Sequence, residues 1–170
     1  MYNFSNTLIM RKSCRKYVKG HFLTTNQKQA LDYAAYRAPH CSPHSHVEIK
    51  CIEDQATKDE IMAACMDQYY VGECSAVYVF LGTEPDKKLR SGFAKFASDC
   101  YIACSYMHLM ATSIELGSVI IGNFIPERVQ NILKTKLRPT IILLVGQRRE
   151  DPPPPPEPEK KKNETSSTID

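Results

Sequence analysis

Residues 98–116 place the strictest demand on how this chain can fold. They read as a helix carrying Tyr101, Ala103, Cys104, Met107, Leu109, Met110 and Ala111, apolar nearly all the way round. Such a helix has to be covered on every side, in a core or in a subunit interface. Two shorter runs make the same demand. Residues 76–81 and 140–145 are continuously apolar over strand length, the pattern of strands buried on both faces. No uninterrupted apolar run in the sequence approaches the roughly 20 residues that span a bilayer, so no membrane partner is expected. An all-apolar helix in a chain of only 170 residues asks instead for a partner surface, a second copy of the chain.

The remaining elements can be placed around these three. Ser5 or Asn6 is expected to cap a first short helix ending at Met10. Thr24 and Gln27 have capping-box spacing, and the helix they start carries Leu31, Ala34, Ala35 and Ala38 on one face until Pro39 stops it. Residues 47–51 alternate apolar and charged, as a half-buried strand does. A second box, Thr57 to Glu60, is expected to open another helix. Gly117 is expected at the C′ position of the apolar helix, where a left-handed conformation is needed. Residues 119–121 form a short strand, and Pro126 starts a last helix running to Leu137. Four strands interleaved with five or six helices make an α+β domain around one sheet.

Composition divides the chain once. After Gly146 it turns to a polyproline stretch, then Lys160-Lys161-Lys162 and a polar end. Residues 1–150 are therefore expected to form one domain, and 151–170 a Pro-rich arm with a polar tail. The formal charge of +3 is mild and its cations are scattered apart from two clusters, so nucleic acid is not an expected partner. Seven cysteines without a CxxC pair or a framework spacing, behind no signal peptide, read as reduced thiols in a cytoplasmic protein.

The first of those clusters, Arg11-Lys12-Ser13-Cys14-Arg15-Lys16-Tyr17, sets four cations and a hydroxyl in six residues behind Leu8, Ile9 and Met10. Guanidinium groups bind phosphate oxygens bidentately, and a neighbouring hydroxyl or backbone N–H fills the gaps. Taken alone, the cluster reads first as a solvated basic helix end, since charge runs are usually solvated faces. Flanking cations lower a thiol pKa, but Cys14 is expected to face the core.

These residues, in this order, resemble the nitroreductase family of FMN-dependent NAD(P)H oxidoreductases. Arg11 to Tyr17 is similar to the family's Arg-(Arg/Lys)-Ser-x-Arg-x-(Phe/Tyr). Tyr36-Arg37-Ala38-Pro39 is similar to its Arg-x-Ala-Pro. Asp67-Gln68-Tyr69-Tyr70-Val71 resembles the stretch before its buried strand, and Leu116-Gly117 with Ile121-Gly122-Asn123-Phe124 resembles its Leu-Gly-x-x-x-Ile-Gly-x-Phe. The resemblance runs from Thr7 to about Lys162. It implies a mostly antiparallel central sheet flanked by helices, in an interwoven homodimer with FMN at each of two interfacial sites.

By the same resemblance, Arg11, Lys12, Ser13 and Arg15 hold the FMN phosphate and ribityl chain, and Asp67 meets the flavin ring. The backbone at Gly122 and Asn123 approaches flavin N5, and Lys160 or Lys161 returns to the phosphate. Pro39, His40 and Cys41 contact the flavin of the partner subunit. No catalytic side chain is implied, because the flavin carries hydride from NAD(P)H to a small oxidised acceptor such as a nitro compound or a quinone.

The chain departs from the family after Pro39. The usual Asn, Gln, Pro and Trp give way to His40-Cys41-Ser42-Pro43-His44-Ser45-His46. Those histidines and the cysteine are ligand types that Zn²⁺ or Cu favours, yet their spacing matches no metal motif and no second ligand group accompanies them in sequence. A polar lining beside the flavin is the expectation, with no metal. The alternative is a flavin-binding or metal-responsive protein on the same scaffold with little reductase activity. Asp67 in place of the family's Asn is the second departure.

Overall fold

The computed structural model describes residues 3–150. Its elements run α1 (Phe4–Met10), α2 (Thr25–Tyr36), β1 (Val47–Ile52), α3 (Gln55–Ala64), α4 (Tyr70–Glu73), β2 (Ala76–Gly82), α5 (Lys95–Ser113), β3 (Gly117–Ile121), α6 (Pro126–Ile132) and β4 (Arg138–Gly146). The four strands form one antiparallel sheet in the order β1-β2-β4-β3. This is the α+β architecture expected, with the two continuously apolar strands, β2 and β4, at the centre.

Alternation along those central strands builds two cores. Val77, Val79 and Leu81 of β2, with Ile142 and Leu144 of β4, point to the face covered by α3, α4 and α6. Tyr78 and Phe80, with Ile141, Leu143 and Val145, point to the opposite face, covered by α2 and α5. Every residue of β2 is buried, which accounts for its lack of a polar face. Helix α5 spends its apolar surface in the same way. Cys100, Ala103, Cys104, Met107 and Ala111 enter the second core, while Tyr101 and Tyr106 stay half-exposed on the outer side. The thiols of Cys65, Cys74, Cys100 and Cys104, pushed up to about 12 by burial, act as small apolar side chains.

Local signals hold where a cap is unambiguous and slip where another residue caps first. The Thr24–Gln27 capping box forms in full at α2. Helix α1 is capped by Asn3, not by Ser5 or Asn6, because the Asn3 side chain takes the Asn6 N–H. Helix α3 is capped by Asp54, which accepts from the Thr57 N–H at 2.8 Å, so Thr57 lies inside the helix it was expected to start. Helix α6 ends at Ile132 and not at Leu137, since Lys134 turns into the left-handed region at φ 49°. The left-handed residue after α5 is Glu115, at φ 66°, and not Gly117.

Gly117 serves a different purpose. A Cβ there would meet Cys14 Sγ at 2.6 Å, so the missing side chain lets residues 11–18 lie against the start of β3.

Candidate functional site

That close approach organises the basic cluster. Residues 11–18 run as an added edge along the sheet: the Cys14 N–H donates to Ser118 O at 2.9 Å, the Val18 N–H to Gln147 O at 3.0 Å, and the Arg149 N–H to Lys16 O at 3.0 Å. The segment departs from strict strand alternation, because it is held to the sheet only by isolated bridges at Ser13 and Tyr17. Cys14 and Tyr17 are buried, whereas Arg11, Lys12, Ser13, Arg15 and Lys16 are exposed. Tyr17 is wholly enclosed, and its hydroxyl donates to Cys14 O at 2.8 Å. Cys14 is a packing residue, its thiol 3.2 Å from Lys16 O.

Pairing with residues 147–149 brings in cations that sequence reasoning missed. Lys12, Ser13, Arg15 and Lys16 line one cavity of about 590 Å³ together with Arg148 and Arg149. Among the described residues, the Arg148 Nε is enclosed without a hydrogen-bond partner. Arg148 and Arg149 follow β4 after Gln147, so the polyproline boundary was the available signal. Lys160 and Lys161, expected at this place, lie outside the described residues.

Arg11 is aimed by a second missed residue. Its guanidinium lies 3.4 Å from His108 Nε2, and His108 Nδ1 lies 2.6 Å from Ser118 Oγ. A guanidinium only donates, so Nε2 accepts and Nδ1 carries the proton that Ser118 receives. Burial, and then the neighbouring Arg11 charge, lower the His108 pKa to about 4. The folded chain therefore binds fewer protons here than the unfolded chain between about pH 6.5 and 4. Stability is complete above that window and falls as the pH drops through it, by about 3 kcal/mol for this group. Urea unfolding at pH 7 and pH 4.5 checks this: His108→Gln should flatten the acid loss.

The other predicted residues gather at the far end of β3. Ser118 and Gly122 are four positions apart, about 13 Å of extended chain. Gly122 and Asn123 are exposed, and a Cβ on Gly122 would touch only Ile141 Cδ1 at 3.8 Å, so the space over this backbone is open. Gln68 ties the Asp67 loop to it, its amide reaching Cys65 O at 2.8 Å and Asn123 O at 3.4 Å, while the Tyr70 hydroxyl bonds the Gln68 carbonyl. Asp67 is exposed beside this contact, in the left-handed region at φ 54°. The structure thus unites Asp67 with Gly122 and Asn123 at one end of β3, and Arg11, Lys12, Ser13 and Arg15 at the other.

Pro39, His40 and Cys41 are not brought to either end within one chain. Pro39 and His40 line a separate cavity of about 540 Å³ between α2 and α5, with Ser45 and Asp99. Asp99, a carboxylate on the apolar helix α5, is buried and organises this loop. It accepts from the Cys41 N–H at 2.8 Å and the His46 N–H at 3.2 Å, and lies 3.0 Å from His46 Nδ1. Burial pushes its carboxyl up, but these hydrogen bonds outweigh it and hold the pKa below the ordinary value. A lone acid in an apolar helix was the signal for it. The same loop carries His44 and His46 up to Glu84, just after β2.

Comparison with known proteins agrees with this architecture. Residues 68–147 match the model of the Nitroreductase family. A nitroreductase family protein from Clostridium novyi NT superposes with a TM-score of 0.82 at 20% identity, over 88% of this chain and 87% of that one. NfrA1 nitroreductase from B. subtilis gives 0.77 at 22% identity, over 95% and 74%. An FMN-dependent nitroreductase from Clostridium difficile R20291 gives 0.74 at 21%, over 86% and 88%. No curated protein sequence matches the chain. By its strand order, its helical layers and these superpositions the chain has the nitroreductase fold, and over residues 68–147 it carries the sequence pattern of the Nitroreductase family.

Proposed function

We propose that the chain is an FMN-dependent oxidoreductase, working as a homodimer, that moves hydride from NAD(P)H to a small oxidised acceptor. The observation that carries this is the division of labour along β3: a cradle of cations at its start and open glycine backbone at its end. A ligand with an anionic head and a flat body about that far away fits both. Arg15, Arg148 and Arg149 supply guanidinium donors for a phosphate, with Lys12 and the Ser13 hydroxyl beside them, Arg11 adds its charge from its place against His108, and the Arg148 Nε gains an acceptor. Gly122 and Asn123 offer backbone to the ring without a side chain in the way. FMN fits these residues, and when bound it supplies the hydride-accepting and hydride-donating ring.

The chain's own part is to hold and orient. His108 fixes Arg11, Tyr17 and Cys14 fix the segment that carries the cations, and Gln68 fixes the loop before the ring site. Asp67 is a carboxylate facing water, which lets it turn from an electron-rich ring edge. Pro39, His40 and Cys41, remote from the cradle of their own chain, are the residues we assign to the site of a second copy. A partner is supported by the apolar surface left open. Phe4, Tyr33 and Tyr106 surround a groove between α1, α2 and α5, and Phe4 and Ile9 are 71% and 78% exposed. All seven cysteines are free, in keeping with a reducing compartment such as the cytoplasm. No helix among the described residues is long and apolar enough to cross a membrane.

A visible spectrum of the purified chain, with and without added FMN, tests the reading. The expected result is a yellow protein whose flavin band is bleached anaerobically by NADH or NADPH. A colourless protein that takes up no FMN would overturn it. The second reading, a flavin-binding protein with little reductase activity, is favoured by Asp99 tying down the residues 40–46. It predicts a yellow protein that neither nucleotide bleaches.

A further inference from the structure

The fold supplies what the histidine-rich loop lacked in sequence, a third ligand from elsewhere in the chain. His44 Nε2 and His46 Nε2 each lie 3.2 Å from Glu84 Oε2, and the three atoms all fall within 4.8 Å of one another. Ligands about 2.1 Å from a tetrahedral ion stand about 3.4 Å apart, close to these separations. The Lys87 ammonium holds the other Glu84 oxygen, Oε1, at 2.6 Å, which leaves Oε2 directed at the two imidazoles.

His46 makes the argument specific. It is wholly buried, with Nδ1 3.0 Å from the Asp99 carboxylate. A carboxylate only accepts, so Nδ1 carries a proton, and in the neutral imidazole Nε2 is then the free nitrogen of the ring. That Nε2 is buried without a hydrogen-bond partner although Glu84 Oε2 is beside it. A lone pair pressed against a carboxylate oxygen is repulsive, and a cation between them removes the conflict. Asp99 then occupies the place of the outer carboxylate in a carboxylate–histidine–metal chain, which sets the tautomer and raises ligand basicity.

We propose that His44, His46 and Glu84 bind a divalent first-row transition ion of the Zn²⁺ type, with Asp99 as the positioning carboxylate. Two imidazoles and one carboxylate form a borderline donor set, and the exposure of His44 leaves a fourth position to water. The ion would staple the loop of residues 40–46 to the end of β2. This site does not depend on flavin binding.

The test is Zn²⁺ competition against a chromophoric chelator, with the metal-stripped full chain. One equivalent per chain is expected. His44→Gln with Glu84→Gln, both at exposed positions, should lose that equivalent while the metal-free melting temperature stays the same. Asp99→Asn should weaken binding about 10- to 100-fold. Added Zn²⁺ should raise the melting temperature of the original chain and not of the double variant. Equal Zn²⁺ uptake by the original chain and the double variant would overturn the proposal. So would uptake abolished by Cys41→Ser alone, which would put the ion elsewhere.

Discussion

Arg11→Ala combined with Arg15→Ala is expected to release FMN from the chain, weakening binding about 100-fold. A hydrogen bond to a charged group contributes about 1.5–3 kcal/mol, and two such donors disappear together. That would be about 3–6 kcal/mol, or two to four decades in Kd. The lower end applies because both side chains are solvent-exposed and Arg148 and Arg149 remain in the cradle. The fold should survive, since neither residue enters a core. Flavin fluorescence titration at low salt measures the change. Unaltered affinity would mean the phosphate sits elsewhere, and the comparison with Arg148→Ala and Arg149→Ala would locate it.

The second large effect concerns what holds those arginines in place. Tyr17→Ala should destabilise the chain by about 3–5 kcal/mol, the usual range for emptying a buried aromatic site. Tyr17 is fully buried, within the core between the sheet and α3, and its ring lies against the Gly146 position. Its hydroxyl also bridges back to Cys14 O, so truncation both opens a cavity and frees the cationic segment. Tyr17→Phe keeps the packing and loses only that bond, about 1 kcal/mol. Chemical denaturation of the two variants separates the contributions. A Tyr17→Ala loss no larger than that of Tyr17→Phe would show that the ring carries little of the anchoring.

How much of this was legible in the chain follows from how local each signal is. The continuous apolar runs could only be central strands, and β2 and β4 are central. The Thr24–Gln27 box and Pro39 bound α2 because caps and prolines act within a single turn. Errors arose where two candidate caps competed over a few residues, as at Asn3 and Asp54. Gly117 was legible as a special position, but its reason was Cys14, which lies 103 residues earlier in sequence, and not the helix it follows.

Sequence alone therefore determined the sheet, its helical cover and the existence of a cationic cluster, because periodicity and charge spacing are properties of neighbours. Only the tertiary structure decided which distant groups complete each site. Strand pairing carried Arg148 and Arg149 to the cluster, packing of α5 carried His108 to Arg11, and the turn after β2 carried Glu84 to His44 and His46. These partners stand tens of residues apart, and pairing register, which no local pattern encodes, sets their distance.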